Sequence, residues 1–255
     1  MNATVTAPTT ALITFVCTFG SALGAANIRR ALPPTHLSKE SQDVVRLGMG
    51  LVATMTALLL GIVTASARSS FDEHDTEIKN TAVNILTLDR HLARYGPETR
   101  PTRDLIKKAL AYRIEKTWPT RGVSSGYGDV IPIDAIESIE DQILALTPQN
   151  DMRRWFKNES LRLTQDVLKT RWRILEAGTE IPGMFLGVVI FWLTMTFASF
   201  GLYAPKNATV AGVLLVSSLS VAAAMFLIVE LDGPFEGLIR VSGDPLRFAL
   251  SNMGQ

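Results

Sequence analysis

Four long runs without a charged side chain constrain this chain more than any other feature of its sequence. They cover residues 11–28, 47–67, 181–204 and 207–229. A helix needs about 20 mainly apolar residues to cross roughly 30 Å of hydrocarbon, and each run has about that length. Because lipid offers backbone amides no hydrogen-bond partner, each run must satisfy its own backbone as a helix. The sequence therefore predicts four transmembrane spans.

The first run has an alternative interpretation, a cleaved signal peptide. Residues 22–26 are small enough to form a cleavage site. A signal peptide normally begins with a positively charged region, whereas residues 1–28 contain no Lys or Arg. We therefore expect an uncleaved first span.

The charged residues concentrate between the second and third spans, in residues 68–180. Apolar side chains recur there at helical spacing and predict helices over residues 71–95, 102–118, 133–146 and 151–178. The apolar side expected for the last of these helices contains Trp155, Phe156, Leu163, Val167, Leu168, Trp172 and Leu175. No segment favours a strand, so this region is predicted to be a helical bundle whose outer helices continue from the second and third spans.

The predicted fold is all-α, with four transmembrane helices in two hairpins and a soluble helical bundle between spans 2 and 3. Residues 1–67 are assigned to the first hairpin, residues 68–180 to the soluble domain, and residues 181–255 to the second hairpin with a short C-terminal tail. The turn between the third and fourth spans is very short and contains Pro205. These two spans are therefore expected to be antiparallel neighbours.

The stretch SSGYGDVIP, residues 124–132, contains the Gly-Tyr-Gly order of a potassium-channel filter. Such a filter needs apolar helices on both sides, but here the flanking segments carry charged residues such as Arg121 and Glu137. Gly and Ser between two prolines are ordinary loop chemistry. We interpret the stretch as a surface loop between the second and third soluble helices.

Composition and motifs argue against several classes of function. The formal net charge is +1 and no basic run occurs, so nothing indicates nucleic-acid binding. The single cysteine, Cys17, cannot form an internal disulfide or a Cys-based zinc site. The sequence has no Ser/His/Asp constellation, phosphate-binding loop or HExxH motif. We therefore expect neither an enzyme nor a bound metal or cofactor.

Small side chains recur at every fourth position of the second span. They are Ala53, Ala57, Gly61 and Ala65. Such a stripe lets another helix approach closely, either around the axis of an oligomer whose pore this helix lines or within one subunit. Gly20 and Gly24 of the first span have the same spacing and the same two interpretations.

Polar residues gather in LDRHLARYGPE, residues 88–98, where a predicted helix ends. The residues of interest are Asp89, Arg90, His91, Tyr95, Gly96, Pro97 and Glu98. His91 has no second histidine at metal-ligand spacing. We therefore expect a salt-bridged helix end that docks on a neighbouring element, in preference to a catalytic role.

A second polar motif, ELDGPFEGLIRVS, residues 230–242, follows the fourth span. Glu230 and Asp232 precede Pro234 near membrane depth, where ionisable side chains are costly and often functional. Positions two apart on a helix point in nearly opposite directions, so the two carboxylates would not converge as a catalytic pair if the helix continues through them. A structural ion pair is expected, and a role in an ion path is the alternative. The candidate partners are Arg68, Arg173 and Arg240.

Together the two motifs resemble a group of bacterial membrane proteins of unknown function, the bestrophin-like domain family. The resemblance extends over nearly the whole chain: two spans, a helical domain and two more spans. It implies, through a more distant relation to bestrophins, a pentameric anion channel with a cytosolic helical part. The chain departs from bestrophins in having no Pro-containing, aromatic-lined neck and no obvious acidic calcium-binding cluster.

By that relation the second span would line the pore. The pore-lining candidates are Thr54, Thr56, Leu58 and Gly61. The first functional hypothesis is therefore an oligomeric ion channel, for anions in preference to cations. The second is a non-conducting membrane scaffold or sensor whose helical domain binds a partner. A membrane enzyme would need a buried polar cluster around His91, Glu230 or Asp232.

The expected partners are the lipid bilayer and further copies of the chain, and the expected location is the inner (plasma) membrane. Arg29 and Arg46 flank the loop after the first span, which argues for a cytosolic loop and an external helical domain. Lys169 and Arg173, shortly before the third span, argue the reverse, as does the resemblance. We expect the helical domain to be cytosolic.

Overall fold

The structure is a computed structural model that is all-helical throughout the residues it describes. These are residues 6–29, 32–33, 38–119, 133–176, 183–205, 207–235 and 237–254. No strand occurs in these ranges, so the all-α prediction is confirmed. The loop of residues 124–132, which contains the Gly-Tyr-Gly order, lies outside them.

Eight α-helices and one short 3₁₀ helix follow one another along the described chain. The α-helices are α1 (Ala7–Ile28), α2 (Lys39–Tyr95), α3 (Arg100–Thr117), α4 (Ile133–Leu144), α5 (Asp151–Glu176), α6 (Gly183–Tyr203), α7 (Ala208–Asp232) and α8 (Asp244–Asn252). The 3₁₀ helix, Pro97–Thr99, separates α2 from α3. Four of the helices, α1, α2, α6 and α7, are long and apolar enough to cross a membrane. The prediction of four such helices is thereby confirmed.

Helix α2 contains both the second span and the first helix of the soluble region. It runs without interruption for 57 residues, as expected from the absence of any Gly or Pro between residues 62 and 95. The corresponding junction between α5 and the third span lies outside the described residues.

The chain divides into two compact units. The membrane unit consists of Met1–Ser70 and Thr179–Gly233, and the helical unit consists of Phe71–Gly178 and Pro234–Gln255. The sequence predicts that the tail belongs to the second hairpin, whereas the structure groups residues 234–255 with the helical unit. The reason is apolar burial, because Phe235, Val241 and Leu246 belong to the same core as α2 and α3.

In the membrane unit, α1 packs against both α6 and α7. Its buried face consists of Ala7, Thr10, Thr14, Thr18 and Ala22. Gly201 of α6 provides the closest approach, since a Cβ added there would lie 2.0 Å from the carbonyl oxygen of Ala22. Only a residue without a side chain fits at this point. The predicted pairing of spans as two hairpins is not confirmed by this packing.

The threonines of α1 bury their hydroxyls without leaving them unsatisfied. Thr14 donates a 2.8 Å hydrogen bond to the carbonyl oxygen of Thr10, and Thr18 donates one of 2.7 Å to that of Thr14. Ser21 donates across the helix pair to the carbonyl oxygen of Thr194, at 3.1 Å. Small polar side chains can therefore lie between these helices at little cost in desolvation.

Gly20 and Gly24 do not contribute to this packing. A Cβ added at either position would meet no atom within 4 Å among the described residues. Gly20 is exposed and lies two positions from buried Thr18, so it points in nearly the opposite direction. A packing role within one subunit is therefore wrong for these two glycines.

The helical unit has a single main core to which α2, α3, α4, α5 and the C-terminal segment contribute. Its members are Ile78, Ala82, Ile85, Leu88, Leu92, Ile106, Leu110, Ile114, Trp118, Ile139, Ile143, Leu163, Phe235, Val241, Leu246, Ala249 and Met253. Helix α5 contributes less to this core than predicted. Trp155 and Trp172 are 56% and 50% exposed, because the face that α5 buries is centred on Phe156 and Leu163.

Asp89 of α2 and Arg103 of α3 form a bidentate ion pair inside the helical unit. Arg103 donates from Nε to Oδ1 at 2.7 Å and from a terminal nitrogen to Oδ2 at 2.9 Å. The Asp89 side chain is almost completely buried, and it raises the pKa of Arg103 through hydrogen bonding. The backbone amide of Gly254 also donates to Oδ2, at 3.3 Å. One carboxylate thus joins α2, α3 and the C-terminus.

Gly201→Ala should destabilise the membrane unit because the new methyl group would collide with the backbone of Ala22. Overpacking of this kind costs about 1–3 kcal/mol. The measurement is the thermal unfolding midpoint of the full chain in detergent. Gly187→Ala is the matched control on the same helix, since a Cβ there meets nothing within 4 Å. Equal midpoints for the two variants would contradict the close approach of α1 and α6.

Asp89→Ala should destabilise the helical unit by about 3–5 kcal/mol, because it leaves the Arg103 guanidinium without its buried counter-ion. The free energy of unfolding of the full chain in detergent, followed by circular dichroism, measures the effect. Asp151→Ala is the control, because its pair with Arg154 is solvent-exposed and such a pair contributes no more than about 1 kcal/mol. A loss for Asp89→Ala no larger than that of the control would show that the pair does not hold the unit together.

Candidate functional site

The candidate site is one face of the second span, formed by Thr54, Leu58 and Gly61. A helix turns by 100° per residue, so these three residues lie on one side of α2. All three are exposed, and Leu58 retains 67% of its surface. No other part of the described membrane unit covers them. We call this surface the α2 face.

Thr56 does not belong to the α2 face. It lies two positions from Thr54, on the other side of the helix, and is 3% exposed. Its hydroxyl donates to the carbonyl oxygen of Val52 at 2.8 Å. Of the four pore-lining candidates, Thr56 is thus the one that is buried within its own subunit, because helical periodicity places it away from Thr54 and Leu58.

The stripe of small residues borders the α2 face. Ala57, Gly61 and Ala65 are exposed, and Ala53 is partly buried. A Cβ added at Gly61 meets no atom within 4 Å among the described residues. Packing within one subunit therefore does not account for Ala57, Gly61 and Ala65, although such a stripe suits close approach by another helix.

The α2 face is chemically apolar. Leu47, Leu51 and Ile62 extend it along the helix. The hydroxyl of Thr54 donates to the carbonyl oxygen of Gly50 at 2.9 Å, so its proton is already used. No ionisable residue occurs between Arg46 and Arg68. The surface can exclude water or contact apolar groups, and it holds no fixed charge.

The first polar motif forms the end of α2, and its residues make structural contacts. Gly96 has φ 153° and ψ 173°, a backbone region open to glycine and strained for other residues. Pro97 then begins the 3₁₀ turn. The Thr99 hydroxyl donates to the carbonyl oxygens of Leu92 and Gly96, at 2.6 and 2.8 Å. The carbonyl oxygen of Leu92, in the last turn of α2, is thereby satisfied where the helix ends.

Residues of this motif also bind α5. Glu98 pairs with Arg153 at 2.9 Å. The guanidinium of Arg153 lies 5.4 Å from the centre of the buried Tyr95 ring, within range of a cation–π interaction. Burial raises the pKa of Tyr95. Arg90 is exposed. With Asp89 bound to Arg103, the motif joins α2 to both α3 and α5.

His91 lies against two aromatic rings of α5. The ring centres of Trp155 and Phe156 are 5.3 and 5.5 Å from its own. Burial lowers the pKa of His91, and Glu159 opposes that shift. The imidazole is therefore neutral at physiological pH and packs against the two aromatic rings. A general acid or base needs a polar partner, and its Nδ1 has none among the described residues.

The second motif continues from the membrane unit into the helical unit. Glu230 and Asp232 are both buried at the end of α7. After Pro234, whose carbonyl oxygen accepts a 2.8 Å hydrogen bond from the Val241 amide, the chain enters the helical unit. Arg240 is exposed. The ion-pair role of the two carboxylates stays a prediction.

Arg173, one of the candidate partners, pairs with Glu77 of α2 at 3.7 Å. Burial raises the pKa of Glu77, while His74 and Arg173 oppose that shift. The pair lies within the helical unit and joins the early part of its α2 segment to the late part of α5. Arg173 therefore has a structural partner that the spacing of the sequence did not suggest.

Sequence reasoning missed Trp118 as the anchor of the C-terminal segment. Its indole Nε1 donates to the carbonyl oxygen of Val241 at 2.8 Å, and Arg247 donates to the Trp118 carbonyl oxygen at 3.1 Å. Gly243 lies directly against the indole ring of Trp118, because a Cβ added at Gly243 would be 2.8 Å from a ring atom. The available signal was a lone tryptophan at a helix end directly before Pro119.

Arg113 of α3 was also missed. It is buried in the helical unit, and burial lowers its pKa to about 10, with a further contribution from Arg171. Arg113 therefore remains a cation at neutral pH inside the helical unit. Among the described residues, no group of three or more His, Cys, Asp or Glu side chains could hold a metal ion.

Comparison with solved structures identifies the fold. A bacterial bestrophin homolog from Klebsiella pneumoniae has a TM-score of 0.67 at 15% sequence identity, over 96% of this chain and 96% of that one. A point variant of a bestrophin homolog from the same organism has a TM-score of 0.67 at 16% identity, over 98% of this chain and 99% of that one. A further structure, described as a membrane protein, has a TM-score of 0.68 at 14% identity, over 95% and 96%. The chain therefore has the bestrophin fold.

Comparison with curated proteins found no match to this sequence. The family model for the Bestrophin-like domain, in contrast, matches residues 16–246, which include most of the first span, the whole of the other three and most of the helical unit. The resemblance drawn from the two polar motifs is confirmed, and this membrane protein belongs to the Bestrophin-like domain family.

Proposed function

We propose that the chain is one subunit of an oligomeric anion channel whose pore is lined by the α2 face. The observation that carries the proposal is the exposure of Thr54, Leu58 and Gly61 on a helix that the rest of the described membrane unit leaves uncovered. Bestrophins, to which this family is related, are pentameric anion channels with a pore-lining second span. This relation is the source of the proposed function. Copies arranged around an axis would enclose this face.

The small residues support close approach around that axis. Gly61 belongs to the α2 face, and Ala57 and Ala65 lie at its border. All three are exposed, and a Cβ added at Gly61 meets no atom within 4 Å among the described residues. A neighbouring α2 helix can approach such a surface closely. Contact between subunits then stabilises the assembly, while Thr54 and Leu58 face the axis. The number of subunits, five, rests on the bestrophin relation.

The apolar character of the α2 face indicates how the pore would work. A hydrophobic constriction stops ions by losing water, and it needs no charged gate. Leu51, Leu58 and Ile62 are the side chains that form it. Because the face has no fixed charge, preference for anions must arise from cations beyond the ends of the span.

We place the channel in the inner (plasma) membrane with its four spans crossing the bilayer and its helical unit in the cytosol. Lys169 and Arg173, near the end of α5 before the third span, support that orientation. The oligomer is a homo-oligomer, because each copy presents the same unpartnered α2 face.

A non-conducting scaffold or sensor is the second candidate. The observation that favours it is a set of large apolar side chains on α5 that remain exposed. They are Met152, Trp155 and Trp172. Aromatic residues and methionine are enriched at protein interfaces, so a protein partner could bind here. This candidate requires assembly with that partner and no ion flux.

Leu58→Thr should raise chloride flux several-fold in liposomes that contain the purified full chain. A hydroxyl in the constriction holds water where leucine excludes it. The measurement is chloride efflux per reconstituted protein, together with the mass of the complex in detergent. Leu12→Thr is the matched control, because Leu12 is 63% exposed on α1, outside the α2 face.

Two outcomes would count against the channel. One is a monomer in detergent with no flux above that of protein-free liposomes. The other is the same change in flux for Leu12→Thr and Leu58→Thr, which would place Leu58 in contact with lipid and away from the pore. Assembly of wild-type protein with one stoichiometric partner, without flux, would favour the scaffold.

A further inference from the structure

A cleft of about 620 Å³ opens between α2, α6 and α7 within the membrane unit. Ala53, Phe200, Val213 and Leu214 are among its walls. It runs from Arg46 to Ala53 along α2, a distance of about 10 Å at 1.5 Å per residue. All three helices are candidate membrane spans. An elongated apolar cleft at this depth is accessible to the hydrocarbon of the bilayer.

One charged side chain lines this cleft, and it lies at one end. That side chain is Arg46, one residue before the uncharged run of the second span begins. Among the described residues, no carboxylate pairs with it. Every other lining residue is apolar, small or a neutral hydroxyl. An exposed guanidinium at the edge of a span and an apolar wall below it are complementary to a molecule with an anionic head and a hydrocarbon tail.

The same end of the cleft holds two further polar features. Tyr203, the last residue of α6, lines it, and tyrosine at the end of a span suits the boundary between hydrocarbon and headgroups. Arg29 donates a 2.9 Å hydrogen bond to the carbonyl oxygen of Ala204, which is another lining residue. A second guanidinium is therefore bound to the backbone of a residue that lines the cleft.

We propose that this cleft binds an anionic phospholipid, with the phosphate at Arg46 and one acyl chain against Phe200 and Val213. Guanidinium groups recognise phosphate oxygens by paired, charge-assisted hydrogen bonds. The acyl chain replaces the contacts that the apolar walls otherwise lack. The lipid fixes α2 relative to α6 and α7 in the same subunit. This site is separate from the α2 face and does not depend on ion conduction.

Binding of phosphatidylglycerol to the purified full chain tests the proposal, with phosphatidylcholine of the same acyl chains as the neutral comparison. The lipid is titrated in detergent, and native mass spectrometry counts the lipids that each subunit retains. The wild type should retain phosphatidylglycerol in preference to phosphatidylcholine. Arg46→Ala should weaken phosphatidylglycerol binding about tenfold, the effect of losing one charge-assisted interaction.

Two further variants distinguish the contribution of the acyl-chain contacts from that of the lipid phosphate. Val213→Trp fills the cleft and should also weaken phosphatidylglycerol binding, while Arg46 remains. Arg154→Ala removes an exposed cation of the helical unit and should bind phosphatidylglycerol as the wild type does. Circular dichroism verifies that each variant is folded. If Val213→Trp does not fold, Arg46→Ala against Arg154→Ala still decides the result.

Three results would overturn the proposal. Equal retention of the two lipids by the wild type would show that the negative charge of the lipid does not contribute to binding. Undiminished phosphatidylglycerol binding by Arg46→Ala or by folded Val213→Trp would place the lipid elsewhere. Dissociation of an oligomer by Val213→Trp, with no dependence on lipid, would show that a second copy of the chain occupies the cleft.

Discussion

The close approach of α1 to α6 at Gly201 is the contact on which the membrane unit depends. In hydrocarbon there is little hydrophobic force between helices, so association rests on packing and on hydrogen bonds. The absence of a side chain at Gly201 brings α6 against the backbone of Ala22, and the α1 threonines satisfy their hydroxyls on their own helix. The α1 face that contacts α6 and α7 is thus used within one subunit, and α2 retains its free surface.

The two polar motifs have a shared structural role. Asp89 connects α2 to Arg103 of α3 and to the amide of Gly254, and Trp118 binds the carbonyl oxygen of Val241. Residues that are far apart in the sequence therefore meet at α3. The C-terminal segment belongs to the helical unit because its apolar side chains complete that core.

Function in the proposed channel depends on the α2 face, which the subunit leaves exposed. Thr54, Leu58 and Gly61 are exposed together, while Thr56 is buried. The apolar surface excludes a charged filter on the span itself and favours a gate that works by dewetting. The cleft beside Arg46 suggests a separate contact with lipid. The proposed conduction and the proposed lipid binding therefore involve different faces of the same helix.

The sequence alone determined the helical class, the four spans and the family. The reason is that the lengths of the uncharged runs and the two polar motifs are local properties of the sequence. It also predicted that α2 continues beyond the membrane. Only the tertiary structure decided which small residues pack: Gly201 does, and Gly20 and Gly24 do not. It also separated Thr56 from Thr54 and exposed Trp155. Such choices depend on which helices meet, and that information is not contained in the spacing of residues along one helix.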